Sequence, residues 1–350
     1  MPLALNQPIV ADEIMEVREL KDGKVFLLTG RDGSKLVIKA EDYVTGDNIK
    51  ATASVVKAID PTVKMKPLVA SEVLQLNQFV LDWEGFVTHL KSLMNTDQEP
   101  VTQQEKQSIA ELKSVLAKYG GASAAGRTNI AKLSYVQMST LGIVLKVEGK
   151  AADDAEWDEA RQTFAKFSKA LNKSGGLEKM GQIMAGDFFI GNQDRFSTSG
   201  GVGVKLYNSS KFHHLKVILN LSNMILVKEG KGKSTRPSML DYMDPFSDFL
   251  KIDQTLATLA QPTKWPMHKL LKKESRAKIS QDLVDDLNYI LQPEKSFFGR
   301  NKLGGSGAAG RVNDGIVQGI KKIVKSAEGR RNSLPPLIAS YLDAVKAAKV

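Results

Sequence analysis

A helix-length run of mostly apolar residues, followed directly by polar side chains, constrains this chain more than any other stretch. The run is LEKMGQIMAGDFFI, residues 177–190, and GNQDRF follows at residues 191–196. Apolar residues on most sides of a helix favour its burial, so the polar residues after it stand at the edge of a core. Active-site loops have this pattern, and ordinary loops have it too. The function of the polar cluster therefore depends on the rest of the chain.

The composition excludes several kinds of site. With 350 residues the chain is long enough for two lobes, and its lack of cysteine excludes disulfides, thiolate metal sites and a cysteine nucleophile. Two of its four histidines, His213 and His214, are adjacent, and neighbouring residues of a strand point to opposite faces. We therefore expect no zinc site.

The charge balance favours acidic partners. Lys and Arg outnumber Asp and Glu by 49 to 39, which gives a net charge of +10 and suits ligands such as nucleotide phosphates. Nucleic acid is not expected, because no basic stripe is interleaved with aromatic residues. No apolar run approaches the roughly 20 residues of a membrane span, and no cleavable signal peptide is recognised. We expect a cytoplasmic protein, or one exported to a host cytosol as an injected bacterial effector.

The first forty residues predict a three-stranded meander. Alternating apolar and polar residues in IMEVREL, KVFLLT and KLVIKA indicate strands, with turns at Asp22-Gly23 and GRDGS. A helix is then predicted to begin at Asp47 or Asn48 and to stop at Asp60-Pro61. A short strand at 62–69, helical patterns at 71–94 and 102–119, and strand-like patterns at 132–139 and 142–149 follow.

The second half of the chain predicts helices around one hairpin. A helix at 151–173 ends at Gly175-Gly176, and the hairpin has its basic turn at 228–236. The fold class is therefore α+β, with a small β-rich lobe at 1–145, a helical insertion in it at about 71–130, and a larger helical lobe at 146–350. Further helices are predicted within 247–295 and at 313–328 and 335–348.

Polar residues at three places in this pattern suit phosphoryl transfer. The reaction needs a cation on the phosphates, an acid that orients the attacking hydroxyl, and oxygen ligands for Mg²⁺. Lys39 on the third strand suits the first task, and Asp194, next to Arg195, suits the second. Asn223 and Asp241, which flank the hairpin, suit the metal.

Several assignments have alternatives. Asn208 and Asn220 are alternatives for the amide ligand of the metal, and Asp244 for the acidic one. Asp47 and Glu72 are the candidates for an acidic partner of the strand lysine. A glycine-rich phosphate loop is missing from the meander. Asp187, the acid within the apolar run, is expected to be a structural group that hydrogen-bonds the backbone N–H groups of its own loop.

Two of these segments resemble the atypical protein kinases. KLVIKAE resembles the lysine strand of kinases, and DFFIGNQDRF, with its N-x-D-R signature after a helix, resembles their catalytic loop. The nearest family is the actin-fragmin kinase catalytic domain, and the likeness covers about residues 13–40 and 177–245.

The resemblance implies a bilobal kinase-like fold that binds ATP and Mg²⁺ between its lobes. It implies that Asp194 is catalytic, with Arg195 beside it, and that Asn223 and Asp241 bind the metal. The segment VQMSTLG, which contains Met138, is interpreted as the hinge that pairs with adenine or as a plain core strand and turn.

The expected activity is Mg²⁺-dependent transfer of the γ-phosphoryl group of ATP to a Ser or Thr hydroxyl of a protein. The family likeness suggests a cytoskeletal or host protein as the substrate. One alternative is a kinase-fold enzyme that transfers AMP. The other is an inactive, pseudokinase-like module that binds a partner through its long helices at 71–119 and its basic surface.

Overall fold

A computed structural model of the chain has a mixed α+β fold, with a small antiparallel sheet near the N-terminus and mostly helices after it. Contacts divide the chain into an N-terminal unit, Met1–Ala53 with Lys64–Val136, and a C-terminal unit, Ser54–Val63 with Gln137–Val350. The structure describes residues 2–21, 23–40, 55–61, 65–94, 101–120, 130–134, 162, 165–173, 175–190, 192, 195–197, 218–219, 224–229, 234–239, 266–290, 303, 307–333 and 336–350.

The N-terminal sheet confirms the predicted meander and adds two strands to it. Gly23 and Gly33 have φ angles of 62° and 77°, which glycine adopts without steric cost, and they form the two turns. Within the described residues the sheet has five strands in the order β1-β2-β3-β5-β4, with every neighbouring pair antiparallel. The strands are β1 (Ile14–Lys21), β2 (Val25–Gly30), β3 (Lys35–Ala40), β4 (Met65–Pro67) and β5 (Ile130–Ser134).

Both edges of this sheet are protected against pairing with another chain. On the β1 edge, the Glu19 backbone N–H donates to the hydroxyl of Ser108, 3.0 Å away on a packed helix. On the other edge, β4 is only three residues long and ends in Pro67. Covering, shortening and proline are the usual ways in which an edge strand is blocked.

Helices α1 (Ala70–Leu81), α2 (Trp83–Met94) and α3 (Gln103–Tyr119) pack in the N-terminal unit. The helix predicted at 71–94 is thus two helices, because the chain leaves the helical conformation at Asp82, which caps α1. The rings of Phe79 and Trp83 meet across the break in a T-shaped contact, with centroids 5.5 Å apart. That contact fixes α2 against α1.

Thr102→Ala is expected to lower the free energy of unfolding by about 1 kcal/mol, because it removes a complete capping box from α3. The Thr102 hydroxyl accepts from the Glu105 N–H at 3.2 Å, and a Glu105 carboxylate oxygen accepts from the Thr102 N–H at 2.7 Å. Urea unfolding followed by circular dichroism measures the loss. Thr102→Ser keeps the hydroxyl and is the control; an equal loss in both variants would show that the cap does not stabilise α3.

The C-terminal unit is built around α4 (Gly176–Ile190), which confirms the helix predicted at 177–190. All of its residues except Glu178 are buried. A helical stretch at residues 165–172 precedes α4. Gly175, whose φ is 83°, lies between the two. The later helices are α5 (Pro266–Leu271), α6 (Lys273–Ile290), α7 (Ala308–Glu328) and α8 (Pro336–Ala347).

Two short pairs of strands also belong to this unit. β6 (Phe196–Ser197) pairs with β7 (Ile218–Leu219), and β8 (Met224–Glu229) pairs with β9 (Ser234–Met239), both antiparallel. The hairpin was predicted to have its turn at 228–236, but Lys228 pairs with Thr235 and Glu229 with Ser234. The strands therefore extend into the basic segment, because backbone pairing continues through residues whose side chains are charged.

Small residues let α4 and α7 cross at very short range. A Cβ added at Gly181 would lie 2.2 Å from the Val312 carbonyl oxygen, and one added at Gly315 would lie 2.1 Å from that of Glu178. Glycine at these positions therefore serves the close approach of two backbones, although it weakens an isolated helix.

Arg276 joins three helices of this unit. Its guanidinium donates to the Leu270 carbonyl at the end of α5, at 2.8 Å, and to the Asn313 side chain on α7, at 3.0 Å. Burial lowers the pKa of Arg276. The contact satisfies a carbonyl that the end of a helix leaves without a partner in its own helix.

Candidate functional site

Asp187, in the last turn of α4, is bonded to the loop that carries the N-x-D-R signature. One guanidinium nitrogen of Arg195, Nη1, donates to both carboxylate oxygens of Asp187, at 2.5 and 2.7 Å. The Asn192 side-chain amide donates to the same carboxylate at 3.2 Å, and its backbone N–H donates to the Asp187 carbonyl at 2.8 Å. The loop is thus fixed to the helix on both sides of residues 193 and 194.

The side chains of Asp187 and Arg195 lie in the core. Asp187 and Arg195 have relative exposures of 0%, so their charges are fully removed from water. Asp187 does bond to its own loop, as predicted, but the described donors to its carboxylate are the side chains of Arg195 and Asn192, whereas we expected backbone N–H groups. Arg195, predicted beside the catalytic acid, contacts Asp187. Its part in catalysis stays a prediction.

Asp194, the predicted catalytic acid, lies outside the described residues. Its following neighbour is Arg195, and Asn192 stands two residues before it, so the chain on either side of Asp194 is held by Asp187. Gln193 also lies outside the described residues. The predicted role of Asp194 therefore stays a prediction.

Lys39, the predicted phosphate lysine, lies on β3 and is 9% exposed. It is opposite Ala131 in the register with β5, whereas its neighbour Ile38 is opposite Lys132. Since side chains alternate along a strand, Lys39 and Lys132 lie on opposite faces of the sheet. Ile38 belongs to the main core of this unit, so Lys39 projects from the other face.

Glu72, a candidate partner of Lys39, pairs instead with Lys132. The carboxylate of Glu72 on α1 and the ammonium group of Lys132 on β5 form a buried ion pair. Sequence analysis did not single out Lys132. The sequence could have indicated Lys132 as a buried lysine, because IAKLS places a lysine between apolar strand residues in the same way as LVIKA.

The predicted metal ligands Asn223 and Asp241 lie outside the described residues, as do the alternatives at 208, 220 and 244. Within the described part, Met224 and Met239 are register partners at one end of the β8–β9 hairpin. In the chain, Asn223 directly precedes Met224, and Asp241 is the second residue after Met239. β9 packs against α4, the helix that carries Asp187.

The predicted hinge, with Met138, also lies outside the described residues, and so does Asp47. Where side chains are described, no group of three or more His, Asp or Glu residues could hold a metal ion. None of the described helices combines the length and apolar character that crossing a membrane requires.

A third buried lysine, Lys179, connects α4 to the segment around the predicted helix stop. Lys179 donates to the Ile59 carbonyl at 2.6 Å, and its Nζ lies 3.5 Å from a carboxylate oxygen of Asp60. About two turns further along α4, Gly186 leaves room for the side chain of Ile59. The Cδ1 atom of Ile59 would lie 2.5 Å from a Cβ added at Gly186. Ile59 and Asp60 therefore contact α4 at Lys179, and Ile59 contacts it at Gly186, the residue before Asp187; sequence reasoning missed these contacts.

Comparison with known proteins finds no family model, no curated protein and no solved structure that matches this chain.

Proposed function

We propose that the chain is an atypical protein kinase, with a bilobal kinase-like fold, that transfers the γ-phosphoryl group of ATP to a protein hydroxyl. The contacts of Asp187 with Arg195 and Asn192 carry this proposal. They hold the first and last residues of the N-x-D-R segment at the end of a buried helix, where a transferase needs a fixed acid. The antiparallel N-terminal sheet with a buried lysine on its third strand also supports it.

In the proposed step, the oxygen of a Ser or Thr hydroxyl forms a bond to the γ-phosphorus of ATP. The bond between that phosphorus and the bridging oxygen to the β-phosphate breaks, and ADP leaves. The hydroxyl proton passes to the carboxylate of Asp194. Lys39 neutralises phosphate charge as a point cation.

Mg²⁺, when bound, would offset the negative charge of the phosphates. Asn223 and Asp241 would hold it through an amide oxygen and a carboxylate, which are hard ligands of the kind that Mg²⁺ prefers. The pairing of Met224 with Met239 supports this choice, because the two candidate ligands adjoin the same end of one hairpin in the chain.

Asp194→Ala and Asp241→Ala are each expected to lower the rate of γ-phosphoryl transfer on the order of 10²-fold or more, through loss of the proton acceptor and of a metal ligand. The assay incubates purified protein with cell lysate and ATP labelled at the γ-phosphorus. Asp314→Ala, at an exposed aspartate on α7, is the matched control and should keep the wild-type rate.

The position of the label separates the alternatives. Label that enters lysate protein only from α-labelled ATP would replace the proposal with AMP transfer. No incorporation from either nucleotide, together with no shift of the melting temperature by ATP and Mg²⁺, would replace it with a binding module. Wild-type incorporation by both alanine variants would reject the assigned residues.

A further inference from the structure

We propose that Asp187 is a positioning residue whose carboxylate sets the geometry of the loop for turnover, and that its ion pair with Arg195 contributes little to stability. This inference rests on the proposed function, since turnover means the phosphoryl transfer described above. It assigns a task to a buried acid that does not itself touch the substrate.

Among the described residues, three hydrogen bonds converge on the carboxylate of Asp187. Asp187 accepts two bonds from Arg195, at 2.5 and 2.7 Å, and one from Asn192, at 3.2 Å. The two donors stand on either side of residues 193 and 194. Loss of the carboxylate would therefore release both sides of the short segment that contains Asp194.

The neighbours of Asp187 and Arg195 in the chain are tightly packed. Asp187 is followed on α4 by Phe188, Phe189 and Ile190, which are at most 2% exposed, and Arg195 is followed by Phe196, which is 0% exposed. Side chains packed in this way keep single rotamers. The carboxylate consequently has a fixed position from which it can place the loop.

The charges of Asp187 and Arg195 are not explained by their contribution to the free energy of unfolding. A buried ion pair loses much of its attraction to the cost of removing both charges from water, and an apolar pair of similar volume often gives equal or greater stability. Stability alone therefore does not explain a charged pair at this position. Placement of the loop does, since a displacement of about 1 Å in a catalytic group can lower the rate on the order of 10²-fold.

The test replaces both charges together, as Asp187→Leu with Arg195→Met, so that neither is left buried alone. We expect a melting temperature at or above that of the wild type, an unchanged KM for ATP, and a kcat lower on the order of 10²-fold. Initial rates of γ-label incorporation into lysate protein over a range of ATP concentrations give both constants. The exposed pair Arg331 and Asp343 receives the same two substitutions as the matched control and should keep the wild-type kcat.

A second readout does not depend on activity. Hydrogen exchange of the backbone amides at residues 192–197 should accelerate in the double variant, while exchange in the first turns of α4 stays unchanged. A folded double variant with wild-type kcat and exchange would overturn the inference, and so would a large fall in melting temperature, which would make the pair a stabilising device. If the wild type transfers no label, the proposed function fails, and the exchange measurement still decides whether Asp187 positions the loop.

Discussion

Lys132→Met is expected to lower the free energy of unfolding by about 3–5 kcal/mol, because it leaves the carboxylate of Glu72 buried without its cation. Lys132 and Glu72 are 4% and 3% exposed. Lys132 also donates to the Gln7 carbonyl at 3.0 Å, and Glu72 accepts the Ile9 backbone N–H at 3.2 Å. The substitution therefore also weakens the attachment of the N-terminal residues to the sheet.

Urea unfolding followed by circular dichroism measures this loss, and Lys66→Met is its matched control. Lys66 is opposite Lys132 in the register of β4 and β5, lies on the same face and is exposed. Its replacement should change the free energy of unfolding by less than about 0.5 kcal/mol. If the two methionine variants lost similar amounts, the buried pair would have no special importance for the N-terminal unit.

Gly315→Ala is expected to lower the free energy of unfolding by about 1–3 kcal/mol or more, because the added methyl group has no space. Its Cβ would lie 2.1 Å from the carbonyl oxygen and 2.6 Å from the Cα of Glu178, so the helices α4 and α7 would have to separate. This cost exceeds the gain of about 1 kcal/mol that alanine normally brings to a helix.

Gly310→Ala is the matched control on the same helix. An added Cβ at Gly310 meets nothing within 4 Å, so this variant should be more stable than the wild type by about 0.5–1 kcal/mol. Thermal unfolding of both variants gives the comparison. A stabilising effect in both would mean that α4 and α7 can move apart without cost.

Local patterns predicted much of the fold. The meander follows from alternation and two glycine turns, and α4 follows from its apolar length, so short-range information was sufficient for both. The break at Asp82 was missed because the apolar pattern continues through it, and the backbone conformation of Asp82 reveals it.

Long-range pairing could not be predicted in the same way. Lys39 and Lys132 each stand between apolar residues of a strand, and the choice of Glu72 between them depends on the sheet register. Likewise, the glycines of α7 were visible in the sequence, but their partner on α4 is more than 130 residues away in the chain. The bonding of Asp187 within its own loop was predictable because its partners are within eight residues of it, although the described donors are side chains.

The segment Ser54–Val63 belongs to the C-terminal unit although the chain before and after it belongs to the N-terminal one. No single cut of the polypeptide can therefore separate the two units intact. A fragment that starts at Gln137 would lack Ile59 and Asp60, and the ammonium group of Lys179 would lose both of these contacts inside the core. Dissection of this protein must carry residues 54–63 along with the C-terminal unit, for example by joining them to it through a linker or by supplying them as a peptide.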